Sequence, residues 1–148
     1  MSTLVDSDPG APQAPIDSRI VAVKQQAPSS LGDYLRDTNK PTHDYTHDEL
    51  SQTGRVYALT IQLRGERGSK FPLRWFMTDA DRATRLRQSG YDQVPVIFRP
   101  RTDNHRRTWP VWIPPPPYTG RFRVTFSLEN EQHEPAQKVT PAFSAPER

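Results

Sequence analysis

The sequence predicts an all-β protein, an antiparallel β-sandwich with a flexible, acidic, proline-rich N-terminal segment and one short helix. From Arg55 onward, apolar residues alternate with polar ones, which is the period of a half-buried strand. The alternating stretches are short and are separated by polar turns, a pattern typical of antiparallel rather than parallel sheets. Only 33% of the 148 residues are hydrophobic and 16 are proline, so a core requires the apolar residues to concentrate after residue 54, as they do.

The chain divides into a head, residues 1–53, and a sandwich domain, residues 54–145. Residues 1–30 hold four prolines among Ser, Asp and Gln, and too few apolar side chains to offset the entropy of ordering. We therefore expect the head to be largely disordered or weakly helical. Residues 16–23 are the exception: this apolar stretch is either a strand added to a sheet edge, in cis or in a partner, or a sticky patch in a tail.

Residues 31–54 carry local helix signals. Ser30 is a candidate N-cap for a short turn, and Thr46 followed by Glu49 has the spacing of a capping box. Gly54 then follows as a candidate helix stop. A helix of this length is marginal without packing.

Six alternating or apolar runs follow, at residues 55–64, 71–78, 94–98, 109–113, 122–128 and 139–143. We expect residues 79–92 to be a polar connection with a helical turn around 81–88, and residues 99–108 to be a polar loop. Pro141 restricts the last run to a sheet edge. The predicted inward-facing side chains are Tyr57, Leu59, Ile61, Leu63, Leu73, Trp75, Met77, Val96, Phe98, Val111, Ile113, Phe122, Val124, Phe126 and Leu128, whereas Trp112 faces away.

Two stretches resemble a known kind of domain. Residues 71–80 (FPLRWFMTDA) and 111–124 (VWIPPPPYTGRFRV) are similar to the C-terminal, immunoglobulin-like β-sandwich accessory domain of certain bacterial multidomain proteins. The likeness covers residues 55–145, and it implies an immunoglobulin-like fold with Trp75 plugging the space between the sheets. It implies no catalytic residues. Phe122 stands where that pattern has Tyr, which removes a tyrosine-corner hydrogen bond.

One segment combines metal-capable side chains. His43 and His47 are four residues apart, with Asp44 and Asp48 beside them, so a helix would present both histidines on one face. The alternative is a solvated helix start, with the acids favouring the N-terminal dipole. We favour the second interpretation and predict neither a metal site nor a cofactor.

Charge is distributed unevenly along the chain. Residues 1–54 carry 4 Lys/Arg against 8 Asp/Glu, whereas residues 55–128 carry 14 against 5. The densest basic loops are the candidate partner-binding or anion-binding sites, because guanidinium groups bind phosphates and a neighbouring indole stacks on bases. These candidates are Arg82, Arg85 and Arg87 in one loop, and Arg99, Arg101, Arg106 and Arg107 with Trp109 and Trp112 in and after another. The alternative is that these arginines have no ligand and only keep the outer faces of the strands solvated.

Catalysis is not expected. The sequence has no cysteine, no Gly-x-Ser-x-Gly and no phosphate-binding loop, and its acidic residues fall mostly in turns. Pro114–Pro117 favours a polyproline II stretch, either a ligand for aromatic grooves or a stiff crossover between strands. The N-terminus has no secretory pattern, so the cytoplasm is the expected compartment.

The favoured function is a non-catalytic protein-interaction or adaptor module that binds another protein. The alternative is a nucleic-acid or other polyanion-binding protein that uses the Arg-rich loops of the sandwich. Neither hypothesis names the partner or the oligomeric state.

Overall fold

Two antiparallel sheets and two short helices make up the computed structural model, which describes residues 18–63, 68–96, 105–129 and 135–145. The elements run in the order β1 (Arg19–Gln25), β2 (Ser29–Ser30), α1 (Leu31–Asp37), α2 (His47–Ser51), β3 (Thr53–Leu63), β4 (Lys70–Asp79), β5 (Thr84–Pro95), β6 (His105–Ile113), β7 (Gly120–Glu129), β8 (Pro135–Val139) and β9 (Phe143–Ala145). No helix in these ranges is long and apolar enough to cross a membrane. The predicted all-β sandwich class is confirmed.

The first sheet is built around β3, the longest uninterrupted alternating stretch in its part of the chain. β1 and β2 pair with successive parts of one edge of β3, and β6 pairs with the other edge, with Tyr57 opposite Val111. The apolar residues of 16–23 that lie in the described range therefore belong to an edge strand formed in cis.

The second sheet has the order β5-β4-β7, and β8 and β9 pair with successive parts of the far edge of β7. Trp75 lies between Gly90 and Phe126 in this register. Pro141 falls between β8 and β9, because proline cannot donate to the ladder. The single edge strand predicted at 139–143 is therefore wrong: β8 ends at Val139, β9 begins at Phe143, and residues 140–142 connect them.

The inner faces of the two sheets share one core. Every predicted inward residue in the described ranges is buried, and the Tyr57 ring meets the Phe126 ring edge-on across the sheets at 5.7 Å. Burying each such side chain contributes about 1.5–3 kcal/mol. Phe98, also predicted to face inward, lies outside the described residues.

A second, smaller apolar cluster lies on the outer face of the first sheet. Val56 and Trp112 are opposite each other on that face, and α1 packs on them through Leu31, Tyr34 and Leu35. The Ser30 hydroxyl accepts from the Asp33 amide, and Thr46 and Glu49 form the predicted capping box. Both helix starts are therefore confirmed, although α2 ends at Ser51 and Gly54 already belongs to β3.

The prediction for residues 79–92 is wrong in part. A turn spans residues 80–83, and the chain then forms the long edge strand β5 instead of a helical turn at 81–88. Its exposed residues are mostly charged or polar, and its inward positions include Gln88, Gly90 and Asp92, so apolar periodicity is nearly absent. The partner strand β4 imposes the extended conformation. Likewise β6 begins at His105, inside the predicted polar loop 99–108.

The sandwich also begins earlier in the chain than the boundary predicted at residue 54. β1, β2 and both helices come from residues 19–51 and contact the first sheet. Within the first sheet, β3 and β6 approach closely at Gly54, where a Cβ would lie 2.5 Å from the Trp112 ring and 2.3 Å from the Ile113 carbonyl oxygen.

Candidate functional site

A cleft of about 550 Å³ opens where the edge of β5 faces the edge of β6. Its floor reaches the core residues Leu73, Trp75 and Val111, and its rim carries Tyr45 and Tyr91. We call it the aromatic cleft, and define it by its lining: Leu31, Tyr34, Leu35, Lys40, Tyr45, Glu49, Gln52, Leu73, Trp75, Ser89, Gly90, Tyr91, Asp92, Val111, Trp112 and Pro114. Its size and its mixture of aromatic side chains with a few polar groups are those of ligand-binding sites.

The helical segment forms one wall of the aromatic cleft. The Tyr34 hydroxyl donates to the Pro110 carbonyl oxygen at 2.9 Å, which joins α1 to β6. The Lys40 ammonium then reaches across to Asp92 of β5 at 3.2 Å. Residues 34–40 therefore bridge the edge strands of the two sheets.

Asp92 is the polar centre of this wall. Its Oδ2 accepts from both Lys40 and the Trp109 indole N–H, the latter at 3.1 Å, and its Oδ1 accepts from the Gln93 amide. Burial disfavours the charged form of Lys40, but the Tyr34 hydroxyl, once ionised at high pH, and the Asp92 carboxylate outweigh this effect and raise the pKa of Lys40. Burial raises the pKa of Tyr34. Lys40 stays charged and Tyr34 stays neutral across the physiological range.

Trp75 and Gly90 shape the floor of the cleft. The indole lies directly over Gly90, where an added Cβ would be 2.0 Å from the indole nitrogen. Glycine at this position leaves room for the ring and keeps the Trp75 side chain only 9% exposed. The predicted role of Trp75 between the sheets is consistent with this placement, and Trp75 also lines the floor of the cleft.

The predicted Arg-rich loops do not come together in the described residues. Arg82 and Arg85 lie at the turn between β4 and β5, whereas Arg107 donates to the Pro95 carbonyl oxygen at the opposite end of β5. The ten-residue strand β4 separates these ends by roughly 30 Å. Antiparallel pairing therefore prevents one shared anion site, and Arg99 and Arg101 lie outside the described residues.

The remaining predicted residues have separate places in the structure. Arg106 is exposed on the outer face of the first sheet, opposite Gln62. Trp109 packs against the core and Trp112 against the helices, where its indole N–H donates to the Ser29 carbonyl oxygen at 2.9 Å. Both indoles thus support the wall of the aromatic cleft instead of standing free for a base to stack on.

A different set of arginines shares one surface. The outward positions of β4, β5 and β7 form a face that the helices do not cover, and we call it the basic face: Arg74, Phe76 and Thr78, then Arg85, Arg87 and Tyr91, then Arg121 and Arg123. Period-two alternation already places Arg74, Arg121 and Arg123 outward. Pairing β5 with β4 adds Arg85 and Arg87, which the helical interpretation of residues 81–88 had separated from them.

The turn at one end of the basic face is held by Asp79. This buried carboxylate accepts from the Tyr118 hydroxyl at 2.6 Å and from the Asp81 and Arg82 amides, each at 3.0 Å. The Tyr118 hydrogen bond, followed by that of the Arg82 amide, lowers the pKa of Asp79. The same bond raises the pKa of Tyr118.

The histidines of the candidate metal-binding segment, residues 43–48, are not both in a helix. α2 begins at His47, so His43 precedes the helix and the two histidines do not share a helical face. Within the described ranges, no three His, Asp or Glu side chains are grouped to hold a metal ion.

Neither the protein-family models nor the curated proteins contain a match to this sequence.

Proposed function

We propose that this protein is a non-catalytic protein-interaction module, and that the aromatic cleft binds a short extended segment of a partner protein. The observation that carries the proposal is the cleft itself, an aromatic-lined opening that reaches Trp75 between two sheet edges. An immunoglobulin-like relationship and a cytoplasmic setting belong to the same proposal.

The edges beside the cleft favour an extended ligand. β5 pairs with β4 on one side, and β6 pairs with β3 on one side; in the described residues, no strand pairs with the other side of either. An incoming strand gains main-chain hydrogen bonds at such an edge, and alternate side chains then enter a neighbouring pocket. A large apolar side chain is the expected anchor, because Leu73, Trp75 and Val111 form the floor.

The polar groups of the cleft support binding over catalysis. Lys40 and Asp92 form an ion pair, and Asp92 also accepts a hydrogen bond from the Trp109 indole. The Tyr34 hydroxyl donates to the Pro110 carbonyl oxygen. A general base or nucleophile requires a group free to exchange a proton with substrate. Here these groups brace the wall, which keeps the opening shaped for a ligand.

Selection from a random displayed-peptide library tests the proposal. Peptides selected on the full chain should bind with an apolar anchor, and Tyr45→Ala should weaken their affinity at least fivefold, about 1 kcal/mol, because the variant removes a rim aromatic. Val139→Ala is the control, because Val139 is also an exposed apolar side chain, at 53%, and lies outside the cleft. The control should retain full affinity.

NMR chemical shifts give a second readout of the same peptides. Peptide addition should shift the Trp75 indole and the amides of Gly90 and Asp92, which line the cleft. Shifts confined to another surface, or equal losses in the Tyr45 and Val139 variants, would contradict the proposal. Failure to select any peptide over repeated rounds would also count against it.

A further inference from the structure

The basic face brings five arginines of three neighbouring strands to one side of the second sheet, which neither α1 nor α2 covers. It lies on the outer side of the second sheet, away from the floor of the aromatic cleft, and the two surfaces share Tyr91 at the cleft rim. Thr78 is in register with both Arg85 and Arg123, so these two arginines flank it on neighbouring strands. Their Cα atoms are therefore separated by roughly 10 Å, two strand spacings.

Much of this positive charge is not neutralised locally. Arg74 pairs with Glu129 at 3.6 Å and Arg121 pairs with Asp81 at 2.7 Å, both near the margins of the face. In the described part of the chain, Arg85, Arg87 and Arg123 form no ion pair. Guanidinium groups without a carboxylate partner are available to bind phosphate.

Aromatic rings interleave with these arginines. The Arg85 guanidinium lies over the Phe76 ring at 4.2 Å from its centre, and the Arg74 guanidinium lies over the Tyr91 ring at 4.9 Å. Tyr91 is 55% exposed, so part of its ring remains open to solvent. Stacking holds the guanidinium groups flat on the sheet and gives the face planar surfaces as well as charge.

We propose that the basic face binds single-stranded nucleic acid, an activity beyond peptide binding in the aromatic cleft. Arg85, Arg87 and Arg123 contact the phosphates, and a base stacks at Tyr91 beside Arg74. Positively charged surfaces with interleaved rings are the general solution for binding single strands without sequence readout. The face does not use the Arg-rich loops as a unit, because only the β4–β5 part of them reaches it.

The positive charge of the basic face would attract any polyanion. The aromatic rings of the face distinguish between classes of polyanion. An acidic peptide or a sulfated polysaccharide offers negative charge but no flat base to stack on Tyr91. In a duplex, the bases are already stacked on each other and are not free to stack on a side chain. Of these four polyanions, the single strand is the one that offers both phosphates and unstacked bases to the face.

Fluorescence anisotropy with a labelled oligothymidylate of about 12 nucleotides tests the proposal on the full chain. We expect binding at low salt that weakens steeply as salt rises, because bound arginines release counterions. Arg85→Gln with Arg123→Gln should reduce affinity at least tenfold at low salt. The salt dependence should also become shallower. The negative slope of log K against log salt should decrease in magnitude by about 1.4, which is about 0.7 for each of the two phosphates that the arginines no longer neutralise.

A charge-matched control separates the face from the net charge of the protein. Arg36→Gln with Arg106→Gln also removes two positive charges, and both residues are exposed on other surfaces. This control should change affinity less than twofold. An equal loss in both double variants would overturn the proposal, since it would mean that only overall charge matters.

The stacking part has its own variant. Tyr91→Ala should reduce oligothymidylate affinity about fivefold or more and leave the affinity for heparin unchanged. Tyr45→Ala, on the rim of the aromatic cleft, should leave oligothymidylate binding intact, so the peptide and nucleic-acid proposals fail or survive separately. Absence of oligothymidylate binding at low salt would overturn this proposal. So would duplex or heparin binding that is tighter than oligothymidylate binding and does not change in the Tyr91→Ala variant.

Discussion

The outer faces of the two sheets follow the same alternation rule but have opposite surroundings. On the first sheet, Val56 and Trp112 point outward and are covered by α1 and α2. On the second sheet, Arg74, Phe76 and Arg123 point outward, and neither of the two described helices covers them. The difference is chemical: apolar outward residues recruit a covering layer, whereas arginines remain solvated and carry charge to the surface.

The covered face depends on contacts between segments distant in the sequence. Trp112 packs against the cluster formed by Leu31, Tyr34 and Leu35 of α1 and donates to the Ser29 carbonyl oxygen, so one side chain joins β2, α1 and β6. The basic face depends on neighbouring strands and on stacked pairs such as Arg85 with Phe76. The covered face of the first sheet should therefore control stability, and the basic face of the second sheet should control binding.

The largest effect is expected at the covered face. Trp112→Ala should lower the free energy of unfolding by about 3 kcal/mol, because it removes the largest side chain of the outer cluster and leaves its hydrogen-bond partner without a donor. Urea unfolding measures the change. Phe76→Ala on the basic face is the control, and it should cost less than half as much; equal losses would remove the distinction between the two faces.

The pH dependence of Tm should reveal how much the Asp79 carboxylate of the second sheet stabilises the protein. Asp79 has a lowered pKa in the folded chain, so its stabilising contribution is complete well above the ordinary value of 3.8 and is lost as pH falls through the lowered pKa. Asp79→Asn should therefore lower Tm at pH 7, and the gap to the parent chain should close in acid.

The control for this titration is Asp37→Asn, which changes an exposed carboxylate at the end of α1. Its Tm should follow that of the parent chain at every pH. If the Asp79→Asn gap stayed constant from pH 7 to acid, the carboxylate hydrogen bonds would not be the source of the stabilisation.

The smallest effect on stability is expected from the basic face itself. Arg85→Gln with Arg123→Gln should change the free energy of unfolding by no more than about 0.5 kcal/mol, because these side chains are exposed and form no ion pair in the described residues. Thermal unfolding monitored by circular dichroism measures it. A loss above about 1 kcal/mol would mean that the face stabilises the fold.

Local sequence was sufficient for the elements whose signal is local. Leu59, Met77 and Phe126 were predicted to face inward and are buried, because strand alternation assigns faces wherever one side contacts a core. The capping box of Thr46 and Glu49 was also correctly predicted, since its two hydrogen bonds lie within three residues.

The sequence by itself thus determined the β-sandwich class, the inward faces and the helix starts, because these follow from the spacing of neighbouring side chains. Only the tertiary structure decided that residues 84–95 are a strand, since their apolar pattern is weak and the partner strand β4 imposes it. It also decided the site geometry. Lys40 meets Asp92 across 52 residues of chain, and Arg85 joins Arg123 only through their shared neighbour Thr78, contacts that no local periodicity encodes.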